Sequence, residues 1–482
     1  MRNVAIIGAG QAGLLVGHAL RRHGYEVILF SDKTPEDFLN HSRPTGSAAR
    51  FDMSLEWERE LGLNHWDYLA PKGEGVHLTF VPGKLGNVLL TLMGRLTRPF
   101  LAIDLRLQSA RWMRDLEKIG GRLMIEDVTV ARLEEIASAH DLTIVAAGRG
   151  PVHKLFARDD SRSFYTKPPR LLAMVNVVGI PMHLDYCPFL PVKFNFFGRY
   201  GECFWVPWFH KDGKQAWSCV FEAKEGGPMD QFRGCKTGEQ ALAIAKKVTR
   251  EMVPWDAEWI QSAELADENA WLVGSFVPEV RKVVGLLPSG RPVMAVGDTA
   301  HSLDPIGGQG ANNGNKMARN LVQCILERQD QPFDVAWMEG TFERFWSRHR
   351  FIDMFNNTLL EPLTDPGKEL LIAQYGSSGE LDDARGCQAI ANAFVENFND
   401  PAYIAEAFHD MAKVRALIQK LTGRHWMWSA IRGRVTIAGA QVRQALGLPS
   451  GHPGTEPLPP GRRFWEKEAE MQDSVPREAG RS

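Results

Sequence analysis

The chain has 482 residues, enough for two or three domains around a large core. Lysine plus arginine number 56 against 58 acidic residues, a net charge of −2 with no basic stripe of the kind nucleic acid requires. No run reaches 18 apolar residues and a strand begins directly after Met1-Arg2-Asn3, so no membrane span or signal peptide is expected and a cytoplasmic location is.

The first element is the short apolar strand Val4-Ala5-Ile6-Ile7. Gly8-Ala9-Gly10-Gln11-Ala12-Gly13 then fills the G-x-G-x-x-G pattern before a helix predicted over 11–23. Glycines there allow a tight turn, and the helix N-terminus can receive a pyrophosphate. By itself the pattern is weak, but strand before and helix behind make it a dinucleotide fingerprint. A second strand, 26–30, ends at Ser31-Asp32, where an adenosine ribose would be met; either residue could serve. Next come the run Arg43-Pro44-Thr45-Gly46-Ser47, a helix over 104–119 opened by Ile103-Asp104-Leu105-Arg106, and strands at 122–125, 127–130 and 141–146, the last leading into Ala147-Gly148.

Between about 165 and 285 short aromatic-rich runs alternate, as in Phe204-Trp205-Val206-Pro207-Trp208-Phe209 and Ala216-Trp217-Ser218-Cys219-Val220-Phe221. They predict antiparallel strands, one face of which could line an apolar pocket. Cys187, Cys203, Cys219 and Cys235 recur every 16 residues, but without C-x-x-C pairs or neighbouring histidines they read as reduced thiols rather than metal ligands.

The most specific stretch follows. An apolar strand, Pro292 to Val296, runs into Gly297-Asp298, then a glycine loop from Pro305 through Gly308, Gln309 and Gly310 to Ala311-Asn312, then an apolar-spaced helix to Leu326. An aspartate at a strand end can accept from a ribitol hydroxyl, and glycines let backbone press against a flat ring, an arrangement suited to a flavin. His301 reads as a turn or flavin-edge residue, since no serine nucleophile motif accompanies it. Residues 331–445 carry helical spacing, and after Leu448 the Pro/Gly-rich, charged composition predicts disorder or loose docking.

These motifs resemble, over roughly residues 1–320, the flavin-dependent monooxygenases of the aromatic hydroxylase fold, and within them the styrene and indole monooxygenases, oxygenase halves of two-component systems. The resemblance implies an α/β fold with a discontinuous Rossmann-like FAD domain (1–165 and 285–330), an antiparallel β-sheet substrate domain (166–284), a helical C-terminal region (331–445) and a disordered tail (446–482). It implies FAD used as FADH2 from a separate NADH-dependent flavin reductase, reacting with O2 to a C4a-hydroperoxide that oxygenates an apolar aromatic substrate; a homodimer is compatible.

On the matching positions, FAD would meet Gly8, Gly10, Gln11, Ala12, Gly13, Ser31, Asp32, Arg43, Arg106, Val128, Ala147, Gly148, Gly297, Asp298, Pro305, Gly308, Gly310, Ala311 and Asn312. Arg43, Thr45, Ser47, Pro305 and Gln309 would face the reaction, with no metal. Single-component hydroxylases carry an Asp-Gly pair where this chain has Ala147-Gly148, which argues against direct use of NAD(P)H. The styrene-type loop is matched at Asp304-Pro305 and Gly-Gln-Gly-Ala-Asn, but the family's Asn-Thr pair after Arg43 is replaced by Gly46-Ser47. The alternatives are a single-component hydroxylase, a flavin-dependent halogenase, for which Trp205-Val206-Pro207-Trp208 has the wrong order, and a non-catalytic flavin protein.

Overall fold

The computed structural model describes residues 2–380 and 386–466. Its first layer is a six-stranded sheet in which Asn3–Ile7 lies centrally, parallel to Glu26–Ser31 on one side and Leu142–Val145 on the other. Arg122–Ile125 extends one edge, and Pro292–Ala295, parallel to Leu142–Val145, brings the later Gly-Asp segment beside the N-terminal fingerprint. Central strands buried on both faces read as continuous apolar runs, which is why they were legible. Helix Gln11–Arg22 packs on this sheet through Leu14, Leu15, Val16 and Leu20, all fully buried.

The second layer is a nine-stranded sheet. Strands Leu171–Val178, Gln215–Ala223, Gly201–Phe209 and Pro191–Phe196 run antiparallel in that spatial order. Two further strands, Gly73–Phe80 and Leu90–Ala102, extend it from inside the region expected to be FAD domain, Gly73–Phe80 pairing parallel with Pro191–Phe196. The sheet domain is therefore itself discontinuous, a correction to the 166–284 boundary. Its alternation splits the aromatic rings: Phe194, Phe204 and Trp208 face one core with Met174 and Ile306, while Trp205, Trp217 and Phe221 face another with Phe189 and Phe232.

Two further expectations are corrected. The predicted strand at 127–130 is a loop entering helix Val130–Ala139, because the Thr129 side chain caps it by accepting from Arg132 N–H. The described part of the expected disordered tail, 446–466, packs on the outer face of the large sheet: His452 is buried against Tyr375, Leu458 N–H donates to Asp185 O at 2.7 Å, and Trp465 stacks on His183 at 4.1 Å. Apolar anchors spaced along a Pro/Gly-rich strap hold it where composition alone gave no core. Residues 467–482 lie outside the described residues. Helix Val335–His349 packs on Gly310–Arg328 beside the six-stranded sheet, while Phe351–Leu360, Asp365–Ala373 and Cys387–Asn399 cover the inner face of the large sheet, the last against Leu90–Ala102.

Candidate flavin and substrate site

The two glycine motifs converge. Gly8, at φ +116°, and Gly13 are required by packing: a Cβ on Gly8 would stand 2.4 Å from Ala146 O, and one on Gly13 2.3 Å from Gly8 O. Gly297, at φ +64°, touches Ala12, and Gly314 sits over both, so helices Gln11–Arg22 and Gly310–Arg328 start side by side. Neither helix has a side-chain cap or an acidic residue in its first turn. Their free N–H groups carry partial positive charge toward one place.

A Cβ on Gly10, Gly148 or Gly310 would meet nothing within 4 Å, and Gln11 Oε1 is buried without a partner while its Nε2 donates to Ala311 O at 3.0 Å. A cradle of this kind fits an anionic dinucleotide. Asp298, in the short turn Gly297–Thr299, is reached by solvent, yet the protein crowded around it raises its carboxyl above the ordinary value, with Arg149 opposing. That combination marks a concave position suited to accepting from a hydroxyl.

At the end of Glu26–Ser31 the two candidate ribose contacts separate. Ser31 is buried and turned back, its Oγ donating to Lys33 O at 2.7 Å, while Asp32 is exposed. The geometry gives the exposed carboxylate to Asp32, with Lys33 Nζ 4.0 Å from it. Val128 packs in the core of the six-stranded sheet, on the loop that follows Arg122–Ile125.

Three expected contacts are corrected by their hydrogen bonding. Arg106, expected beside phosphate or ribose, is 2% exposed and directs its guanidinium to Asp104, Asp267 and Ser42 O. It braces the two sheets with His210, whose Nε2 lies 2.6 Å from Asp267; against burial, His210 and Arg106 hold the Asp267 carboxyl below the ordinary range. Gln309 is fully buried and donates to Gly307 O and Phe398 O, both at 2.9 Å, so it supports the loop rather than facing substrate. Asn312 likewise uses both ends of its amide: Oδ1 accepts from Phe51 N–H (3.0 Å) and Ser54 Oγ (2.9 Å), and Nδ2 donates to Ala49 O and Gly308 O (2.8 Å each).

The loop so held begins at Asp304, which caps the single turn Pro305–Gly307 by accepting from Ile306 N–H at 3.1 Å. Pro305 is half-buried on this turn, and Gly308 leaves it at φ +60°. Asn356, which the sequence did not single out, clamps the turn from below, donating to Asp304 O and accepting from Gly307 N–H at 3.2 Å. Opposite lie residues 43–48 of the other loop. Arg43 stacks on Trp271 at 4.0 Å, Thr45 is exposed, and Ser47 Oγ meets Ser218 Oγ at 2.9 Å.

Both loops face the same side of the large sheet, where sequence reasoning named rings and missed the polar groups. Ser218 pairs across with Asn176, whose side-chain oxygen and nitrogen are buried with no partner among the described residues, as is Trp208 Nε1. Glu202 lies directly opposite Glu222 in register, and both are buried. Arg170 neutralises Glu202 in a bidentate pair at 2.7 and 3.0 Å. Glu222 has Asp304 instead, and two carboxyl groups can share a buried contact only through a proton. Burial first, and Asp304 second, push Glu222 well above the ordinary carboxylate range; burial also raises Asp304, which the Glu222 hydrogen bond opposes. Glu222 therefore carries the proton and Asp304 accepts it. No signal in the sequence placed these two side by side, since 82 positions separate them.

Comparison with known proteins agrees with this geometry. A family model described as "Styrene monooxygenase A putative substrate binding domain" matches residues 148–259. Styrene monooxygenase StyA of Pseudomonas fluorescens is 27% identical over 407 residues, covering 83% of this chain and 93% of that protein. Among solved structures, the flavin-dependent brominase Bmp2 superposes with TM-score 0.56 at 15% identity, covering 84% of this chain and 98% of that one. A single-residue mutant of halogenase PltM in complex with FAD superposes with TM-score 0.56 at 12% identity, covering 92% and 96%. At such identities the structural matches speak for the fold.

The doubly glycine-cradled α/β unit under an antiparallel roof defines an FAD-dependent monooxygenase. Within that class the chain is similar to styrene monooxygenase StyA, and its residues 148–259 match the substrate-binding-domain model of that enzyme.

Proposed function

We propose that the chain is the oxygenase half of a two-component system, receiving reduced FAD from a separate NADH-dependent reductase in the cytoplasm and oxygenating an apolar aromatic substrate at an alkene, an indole ring or a heteroatom. When bound, reduced FAD activates O2 and supplies the electrophilic oxygen. The residues of this chain bind, orient and exclude water. With FAD bound, Gly10 and Gly148 would leave room for the pyrophosphate end, Asp298 would accept from the ribityl chain, and Pro305 with the Gly308–Gly310 backbone would meet the ring. Met174, Val206, Phe204 and Trp208 wall the inner sheet face and keep the reacting space dry. Asn176, Ser218 and Ser47 supply hydrogen-bonding groups at its edge, a modest polar set for orienting a substrate.

The observation that carries this reading is the apolar inner face with a few unpartnered polar atoms, set against the Asp304–Gly310 loop. An electrophilic oxygen attacks a π bond directly, so no strong base is required. Ala147, where single-component hydroxylases have aspartate, supports an outside source of electrons. The test supplies chemically reduced FAD and air to the purified protein and screens styrene, indole and sulfides for oxygenated product, with NADH and NADPH alone as the comparison.

A further inference from the structure

Helix Trp426–Ala445 is 20 residues long, yet only Ala430, Gly433 and Ala440 on it are buried. Those small residues let it approach helix Asp365–Ala373 closely; a Cβ on Gly433 would stand 1.9 Å from Ile372 O. The opposite side is apolar and open. Trp428, Ile431, Val435 and Val442, continued by Leu446, follow the i, i+3, i+7 rhythm of one helical face, and Trp428, Val435 and Leu446 are 70%, 67% and 70% exposed.

Large apolar side chains aligned along one helix are unlike the scattered singles of an ordinary surface. Charge singles out the same place. Residues 411–450 hold seven Lys/Arg and no Asp/Glu, in a chain whose totals are 56 and 58. Arg432 and Arg443 border the apolar stripe on one edge and Arg434, paired with Glu369 at 2.8 Å, on the other, with about 160° of arc between the edges at 3.6 residues per turn. Lys420 and Arg424, at the turn leading into the helix, form no salt bridge among the described residues.

We propose that this helix lies on the surface of an anionic phospholipid bilayer, its apolar stripe at the headgroup–acyl boundary and its arginines in the headgroup layer. An in-plane helix needs an apolar face, cationic edges and interfacial aromatics, and all three coincide here. No helix among the described residues is long and apolar enough to cross a membrane, so the contact is one of lying on the bilayer rather than spanning it. The inference does not depend on the reaction. It would place the enzyme where lipophilic aromatic compounds concentrate.

The test is co-sedimentation of the full protein with vesicles of phosphatidylcholine alone and of phosphatidylcholine mixed with phosphatidylglycerol, at low and raised salt. Binding at least about tenfold tighter to the anionic vesicles, weakened by salt, is expected. The triple variant Trp428→Ser/Ile431→Ser/Val435→Ser and the double variant Lys420→Glu/Arg424→Glu should each lose about tenfold or more, with unchanged thermal melts because all five positions lie on the surface. Equal sedimentation with both vesicle types, or by wild type and variants alike, overturns the proposal. So does a wild-type dimer in sedimentation equilibrium that the triple variant renders monomeric without vesicle binding, and so does binding to polyglutamate as tight as to anionic vesicles and indifferent to the serine substitutions.

Discussion

The two faces of the nine-stranded sheet are built from the same alternating strands but settle their buried polar groups differently. On the outer face Lys193 is wholly buried and donates to Thr79, and Asp256 accepts from Tyr186 and, at 2.8 Å, from Trp205 Nε1. Burial pulls Lys193 down to about 8, with Asp256 opposing, and raises Asp256 with Lys193 opposing, so the two support one another. His77 is an exception there, both ring nitrogens unpartnered and the ring held neutral by burial and by Lys193, and Thr91 Oγ1 and His452 Nε2 are also without partners among the described residues. On the inner face Asn176 and Trp208 leave polar atoms without partners, at the one place where two loops approach. Unpaired buried groups cost stability, so a face that keeps several of them points to a ligand, and a face that pairs most of its own points to packing.

The largest effect should come from the outer face. Asp256→Ala strands the buried Lys193 charge and removes the acceptor of Tyr186 and Trp205, a loss of about 3–5 kcal/mol. Denaturant unfolding measures it, while FAD bound per folded molecule should stay as in wild type; a small stability change with lost FAD would reverse the roles assigned to the faces.

The glycines sharpen the contrast between packing and ligand. Gly13→Val should unfold the nucleotide-binding unit, because its side chain has nowhere to go against Gly8 O. Gly10→Val has open space around it, so the protein should keep its melting temperature and bind FAD at least about 100-fold more weakly. Isothermal titration with FAD beside a thermal melt separates the two; wild-type affinity in Gly10→Val would remove the pyrophosphate from this turn.

At the loop, Gly310→Leu should leave the fold intact and lower the product formed per O2 consumed, diverting oxygen to H2O2. Gly308→Leu should do the same and also lose about 1 kcal/mol, since its φ of +60° suits glycine. Unchanged coupling in both would make this loop structural.

The smallest effect is a pH dependence. Glu222 faces Asp304, Glu202 and Arg170, with Tyr165 and Glu361 hydrogen-bonded to one another beyond them. Its folded value is raised above its unfolded one, so the contact it makes as a proton donor is fully present below the unfolded value. That contribution is lost as pH rises through the raised folded value. Coupling in wild type should therefore decline on the alkaline side, while Glu222→Gln, which donates at every pH, should hold level. An alkaline decline of equal size in Glu222→Gln would dissociate the loop from this pair.

What the sequence disclosed follows from the same physics. Buried parallel strands and glycine turns are written locally, so Asn3–Ile7, the 8–13 turn and the 297–312 loop were legible. Gly73–Phe80 was missed because its meaning lies in pairing with Pro191–Phe196, more than 100 residues away, and Leu90–Ala102, which joins the sheet through Gly73–Phe80, was missed with it. Arg106 resembled a phosphate or ribose ligand until Asp267 arrived from the other sheet, Gln309 resembled a residue facing the reaction until Phe398 engaged it, and Asn312 a flavin contact until Phe51 engaged its side chain. Glu222 and Asn356 carried no local signal, because an isolated acid in a strand or an amide in a helix becomes a loop support only through tertiary contact.

Oxygenation with borrowed electrons is decided by following flavin absorbance and product together under air, first with NADH or NADPH alone and then with an unrelated flavin reductase added. The isolated chain should show no bleaching of FAD and no product, and should yield oxygenated styrene, indole or sulfide once the reductase is present. Rapid bleaching of FAD by NADPH alone would contradict this mechanism, as would a supply of reduced FAD that consumes O2 only to H2O2 with every aromatic substrate offered.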